Sequence, residues 1–158
     1  MSRGLIVVMA TITHLSLVVL TTGIVVFVTH GDVIVERDAG TLLGPAMVLG
    51  SMACVFFPLA RRFGVEGRDA RESGDEAPRG RRILPLALTA ALSSYVVMLL
   101  IGATVYASER GQAAWLVLFA GRYAASLFVT VTSLEAGVVV AGFALAAKAD
   151  AARARSFD

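Results

Sequence analysis

The sequence predicts an all-α membrane protein, a bundle of four transmembrane helices, and three observations carry that prediction. Apolar residues fall in blocks about 20 residues long, the length that crosses a bilayer. Hydrophobic residues make up 57% of the chain and charged residues 16%, against about 45–50% and about 25% in average proteins. The basic residues outside the blocks are also unevenly placed. Arg3, the seven arginines of residues 61–82, Lys148, Arg153 and Arg155 fall on one side, and only Arg37 and Arg110 on the other. That asymmetry places both termini and the central loop in the cytoplasm.

The first span covers residues 5–28. Arg3 followed by an apolar run resembles a signal peptide. The run is longer than the usual h-region of about 7–15 residues, however, and no A-x-A-like cleavage site follows it, so it reads as a retained helix. An acidic connection with Asp32, Glu36 and Asp38 leads to the second span, residues 42–60. Pro45 fits the first turn of that helix, where its missing N–H costs nothing, and Pro58 is expected to kink or close it. Residues 61–82 hold seven arginines, five carboxylates and four glycines, which reads as a flexible cytoplasmic linker. The third span covers residues 83–105 and the fourth 120–147. The apolar stretch before the fourth, from Ala113, is longer than a bilayer needs. It either lengthens a tilted helix or lies partly in the interface, with Trp115 as an anchor.

Composition narrows the function classes. A formal charge of +2 gives no footprint for nucleic acid. The single cysteine, Cys54, excludes an intrachain disulfide and a C-x-x-C redox pair. Two histidines, His14 and His30, are too few for the usual two-haem membrane cytochrome. No cofactor is implied, and a metal site built from His14 and Glu135 alone would lack ligands. No nucleophile with a matched base is visible, so the chain reads as a non-enzyme. A lipid-modifying enzyme that grips phosphate with Arg122 ranks last among the alternatives.

The stretch from Gly121 to Ala146 carries the most informative residues, because it holds Arg122 and Glu135 at membrane depth. Placing a charge there costs at least about 2.5–3.5 kcal/mol at a helix centre, so such residues are paired, face water, or work. On one continuous helix, Arg122, Ser126, Thr130, Ser133, Gly137 and Ala141 share about a third of the circumference, and Glu135 points elsewhere. The two charges would then lie about 20 Å apart along the axis. Glu135 is expected near the midplane with His14, Ser93, Ser94 and Tyr95. Thr11, Thr21 and Thr22 add polarity to the histidine helix. A carboxyl in lipid-like surroundings favours its neutral form. A His14–Glu135 contact would therefore load and release a proton in a carrier, whereas a neutral Glu135 bonded to a hydroxyl would only specify packing. Arg122 and Tyr123 are expected at the outer interface, with Asp38 as a partner for the arginine. Ser133, Gly137 and Ala141 form a small-residue seam, as do Ala46 and Gly50 on the second span. Such seams let helices approach closely, within one bundle or between copies.

Asp38-Ala39-Gly40-Thr41-Leu42-Leu43-Gly44-Pro45 before the second span and Phe119-Ala120-Gly121-Arg122-Tyr123-Ala124 entering the fourth resemble an uncharacterised family of small bacterial four-span membrane proteins. The resemblance covers most of the membrane-embedded chain. It implies no activity, but marks the outer entrances to the second and fourth spans as the family's distinguishing region.

Together these readings give a multi-pass protein of the bacterial cytoplasmic membrane, with the lipid bilayer and a membrane-protein partner or second copy as its surroundings. The expected role is an accessory, assembly or scaffold subunit. The alternative is a proton-coupled carrier or channel for small solutes, using Glu135 and His14.

Overall fold

Each apolar block forms a helix. The computed structural model of the chain describes residues 3–30, 42–72 and 83–155. Helix α1 spans Arg3–Thr29, α2 Leu43–Glu72, α3 Ile83–Arg110, α4 Ala114–Tyr123 and α5 Leu127–Arg155. Four of these are long and apolar enough to cross a membrane, over Gly4–Thr29, Leu43–Phe63, Ile83–Arg110 and Leu127–Arg153. The described residues contain no strand.

Helices form here because a backbone N–H or C=O without a partner is expensive in lipid, and a helix satisfies both within one segment. Their outer faces confirm the solvent. Phe27, Val28, Leu42, Leu49, Phe57, Leu84, Val117 and Val138 are all largely exposed. That many large apolar side chains would be anomalous against water and are ordinary against acyl chains.

Two local features depart from the sequence-based expectation, and a third decides a point it left open, since residues 114–123 form a helix of their own. First, α2 passes through Pro58 without ending and continues to Glu72. Residues 61–72, expected to be linker, are therefore helical. Extending an existing helix avoids the nucleation cost, and Arg, Ala and Glu are good helix formers. The rest of the expected linker, residues 73–82, lies outside the described residues.

Second, the stretch from Gly121 to Ala146 is not one helix. Helix α4 ends at Tyr123, and α5 begins at Leu127. The Ser126 N–H turns back to the Tyr123 carbonyl at 3.0 Å, an i to i−3 bond that tightens the chain and ends the α pattern. This break disrupts the continuous register that put Arg122 in line with Ser126, Ser133 and Gly137.

Third, α4 folds back along α3. Gly111, with a φ of 64°, supplies the left-handed turn that only glycine adopts without strain. Phe119 of α4 then seats against Gly102 of α3, where an added Cβ would lie 2.7 Å from the ring. A column of rings locks the pair, with Tyr106–Trp115 centroids 5.8 Å apart, Tyr106–Phe119 5.1 Å and Phe119–Tyr123 4.3 Å.

The core has two apolar halves. One gathers Val18, Leu43, Met47, Met98, Ala103, Tyr106, Phe119, Tyr123, Phe128 and Val129. The other gathers Val7, Ala10, Val55, Leu59, Phe63, Ala90, Ala136, Val139 and Val140. Helix α5 is the most buried of the spans and packs on α1, α2 and α3.

Candidate functional site

Between the two apolar halves lies a polar layer, and the sequence builds it the same way on each long helix. His14 falls between Ala10 and Val18. Ser51 falls between Met47 and Val55, and Ser94 between Ala90 and Met98. Thr132 and Ser133 fall between Val129 and Ala136. In every case the flanking residues belong to opposite halves of the core. A step of four residues is slightly more than one turn, so each polar side chain shares a face with its apolar neighbours and points inward with them. His14, Ser51, Ser94 and Thr132 are completely buried, and Ser133 nearly so.

Three of these side chains form a line across three helices. His14 Nε2 on α1 lies 2.7 Å from Ser51 Oγ on α2. Ser51 Oγ lies 2.8 Å from Ser94 Oγ on α3. Ser94 then meets Met98 Sδ at 3.9 Å. Other hydroxyls of the bundle behave differently. Thr11, Ser16, Ser93 and Ser108 each bond a carbonyl of their own helix three or four residues back, the usual local solution for Ser and Thr in a helix. Ser133 does the same, toward Val129 at 2.8 Å and Thr130 at 2.9 Å. Ser51 and Ser94 instead spend their hydroxyls between helices.

Glu135 lies just under one turn after Thr132 on α5 and is half-buried. Thr21 Oγ1 of α1 donates to its Oε1. Of the two arrangements the sequence allowed, the direct His14–Glu135 pair is not formed and Glu135 is bonded to a hydroxyl, because His14 turns to Ser51 and Glu135 to Thr21. Three buried polar atoms on these two helices have no hydrogen-bonding partner among the described residues: His14 Nδ1, Thr132 Oγ1 and Glu135 Oε2.

The other sequence-predicted residues separate into structural positions. Ser93 stays on its own helix. Tyr95 is half-buried, and its hydroxyl donates to the Ala124 carbonyl at 2.8 Å, which serves one of the acceptors at the break between α4 and α5. Arg122 is exposed, whereas its neighbour Tyr123 is buried under Phe119. Asp38, the expected partner of Arg122, lies outside the described residues. Arg110 lies against two rings of the aromatic column, 5.0 Å from the centroid of Tyr106 and 4.5 Å from that of Trp115.

The small-residue seams are filled by the chain's own helices. A Cβ at Gly137 would lie 3.0 Å from the Ala87 carbonyl oxygen and 3.1 Å from Ala91 Cβ, so α5 and α3 meet backbone to backbone there. A Cβ at Gly50 would collide with Ile101 and lie 2.9 Å from Val97 Cγ1. Ala46 and Ala141, at the ends of the seams, are half-buried. Among the described residues, no group of three or more His, Cys, Asp or Glu side chains gathers in one place.

Residues 2–156 match a family of unknown function, DUF6121. The chain belongs to that family. The match runs over nearly the whole chain, consistent with the small four-span family suggested by the residues at the entrances to α2 and α4. No curated protein and no solved structure matches the chain. Membership in DUF6121 therefore brings no activity with it, and the chemistry must be read from the layer.

Two members of that layer escaped the sequence reading. Ser51 sits beside Gly50 of the small-residue seam and was overshadowed by it, and Thr132 sits beside Ser133 in the same way. The signal that finds them is one polar residue between two core residues, four before and three or four after, repeated on four helices. Chemically, the layer offers an imidazole and hydroxyls, groups that both donate and accept hydrogen bonds. A carboxyl, that of Glu135 on α5, lies nearby and is held by Thr21 of α1.

Proposed function

We propose that this chain is a non-enzymatic membrane protein that relays protons through its bundle, alone or coupled to a small protic solute. The observation that carries the reading is the line His14–Ser51–Ser94 across α1, α2 and α3. Each member can accept a proton on one side and give one up on the other. Buried ionisable residues within membrane spans are rare and recur in proton relays. Glu135 supplies a second ionisable group on the α1–α5 seam. The arginine distribution supports both termini and residues 61–82 facing the cytoplasm. The test is dissipation of an imposed pH gradient by proteoliposomes that contain the purified chain. Flux above protein-free vesicles, abolished by Glu135→Gln, is the expected result. Unchanged flux in that variant removes Glu135 from the mechanism, and absence of flux in the parent removes the relay.

A second reading makes the chain an accessory or assembly subunit of a larger membrane complex. The seams lend it little support, since Gly50 and Gly137 are occupied within the bundle. What favours it is the outer face of α4, where Leu118 and Arg122 lie one turn apart and both are exposed, beside exposed Val117. Gentle extraction followed by size analysis tests this reading. A strictly monomeric particle with no companion protein counts against it.

A further inference from the structure

We propose that water is held inside the seam between α1 and α5, hydrogen-bonded to His14 Nδ1, Thr132 Oγ1 and Glu135 Oε2. All three atoms are buried and lack a partner among the described residues. All three belong to the same two helices, which pack against each other. Native proteins satisfy buried polar groups almost without exception, with protein groups or with ordered water. Water in the seam of this one helix pair would satisfy all three. A buried water typically makes about three hydrogen bonds and needs two to four polar partners, and this seam offers donors as well as acceptors.

Each group points to water by its own chemistry. The His14 Nε2 edge is taken by Ser51, so the ring's opposite nitrogen is turned to a different neighbour. Thr132 could bond a carbonyl of its own helix, as Ser133 beside it does, yet its hydroxyl makes no such bond. Glu135 gives one oxygen to Thr21 and keeps the other buried. Along α1, His14 and Thr21 are seven residues apart, about 10 Å at 1.5 Å per residue. That gap is too long for one hydrogen bond and suits a short file of waters. The water would join the histidine layer to the glutamate, two stations that have no direct bond. Its use in proton transfer rests on the relay reading above, but its presence does not.

Water-edited solid-state NMR on the chain in liposomes tests the proposal directly. Water magnetisation should reach the His14 ring, the Thr132 side chain and the Glu135 carboxyl several times faster than the methyls of Val129 and Ala136. Thr132→Val should slow the transfer to His14. Transfer to His14 and Glu135 as slow as to Val129 overturns the proposal. Thermal unfolding of Thr132→Val gives a second readout. A hydrated seam predicts a lower midpoint, because a water loses a partner, whereas a higher midpoint means the hydroxyl was dry and overturns the proposal. Fast water transfer in a chain that carries no proton flux supports the hydrated seam and sinks the relay alone.

Discussion

His14 Nε2 and Ser51 Oγ lie 2.7 Å apart, and this contact ties α1 to α2 within the polar layer between the two apolar halves of the core. Ser51 also meets Ser94, so it serves two neighbours at once. Ser51→Ala should leave His14 Nε2 unpaired and Ser94 Oγ with only the weak Met98 Sδ contact. A buried polar group left without its partner costs about 1–3 kcal/mol, and thermal unfolding in a mild detergent should show a loss of that order. Ser94→Ala added to it should cost little more, because members of one network are not additive. Additive losses would mean the three side chains act separately.

Gly137 meets the Ala87 carbonyl and Ala91 Cβ across the α3–α5 interface, while Gly142 on the same helix has open space around its Cα. The two positions make a matched pair. Gly137→Val should force α3 and α5 apart and destabilise by about 1–3 kcal/mol, the range for overpacking. Gly142→Ala should instead be neutral or stabilise by about 0.5–1 kcal/mol, since alanine is the better helix residue. Both comparisons use the unfolding midpoint in detergent. If the Gly137 seam were an interface between copies, the Gly137 variant would change particle size rather than the midpoint.

The four spans were legible because length and apolarity decide what crosses a bilayer, and the ends of α1 and the start of α3 follow closely, whereas α3 runs five residues past the expected end at residue 105, to Arg110. The break at Ala124–Ser126 was not legible. Nothing in Tyr-Ala-Ala-Ser forbids a helix, and no proline or glycine marks the bend. The break is stabilised by tertiary partners instead, with Phe119 seated on Gly102 and Tyr95 reaching Ala124. At the site, depth counting placed His14 and Ser94 at one level. It could not place Glu135 against Thr21, because that depends on helix crossing and side-chain reach. Ser51 and Thr132 were hidden for a different reason, as each lies next to a small residue that draws attention to packing.

Tyr95 donates to the Ala124 carbonyl where α4 gives way to α5. A carbonyl freed by a helix break inside a membrane has no water to turn to, so the phenol supplies what the helix does not. Tyr95→Phe keeps the ring and removes the donor. The expected loss is about 0.5–1.5 kcal/mol, together with faster amide hydrogen exchange across residues 124–127. Exchange unchanged there would show that the break holds without the phenol.

Thr21 and Glu135 separate a structural role from a functional one. Thr21→Val removes the donor to Oε1, which should lower stability by about 1–3 kcal/mol. Because the ionisable group remains, proton flux should persist in the folded fraction. Glu135→Gln does the reverse. The amide keeps the volume and an oxygen for Thr21, so the unfolding midpoint should fall less than in Thr21→Val, yet an amide cannot take up and release a proton. Flux should vanish while the fold is intact. The decisive comparison is between the two variants in the same vesicles. If Thr21→Val loses flux and Glu135→Gln keeps it, the carboxyl is a packing element and the relay does not pass through it.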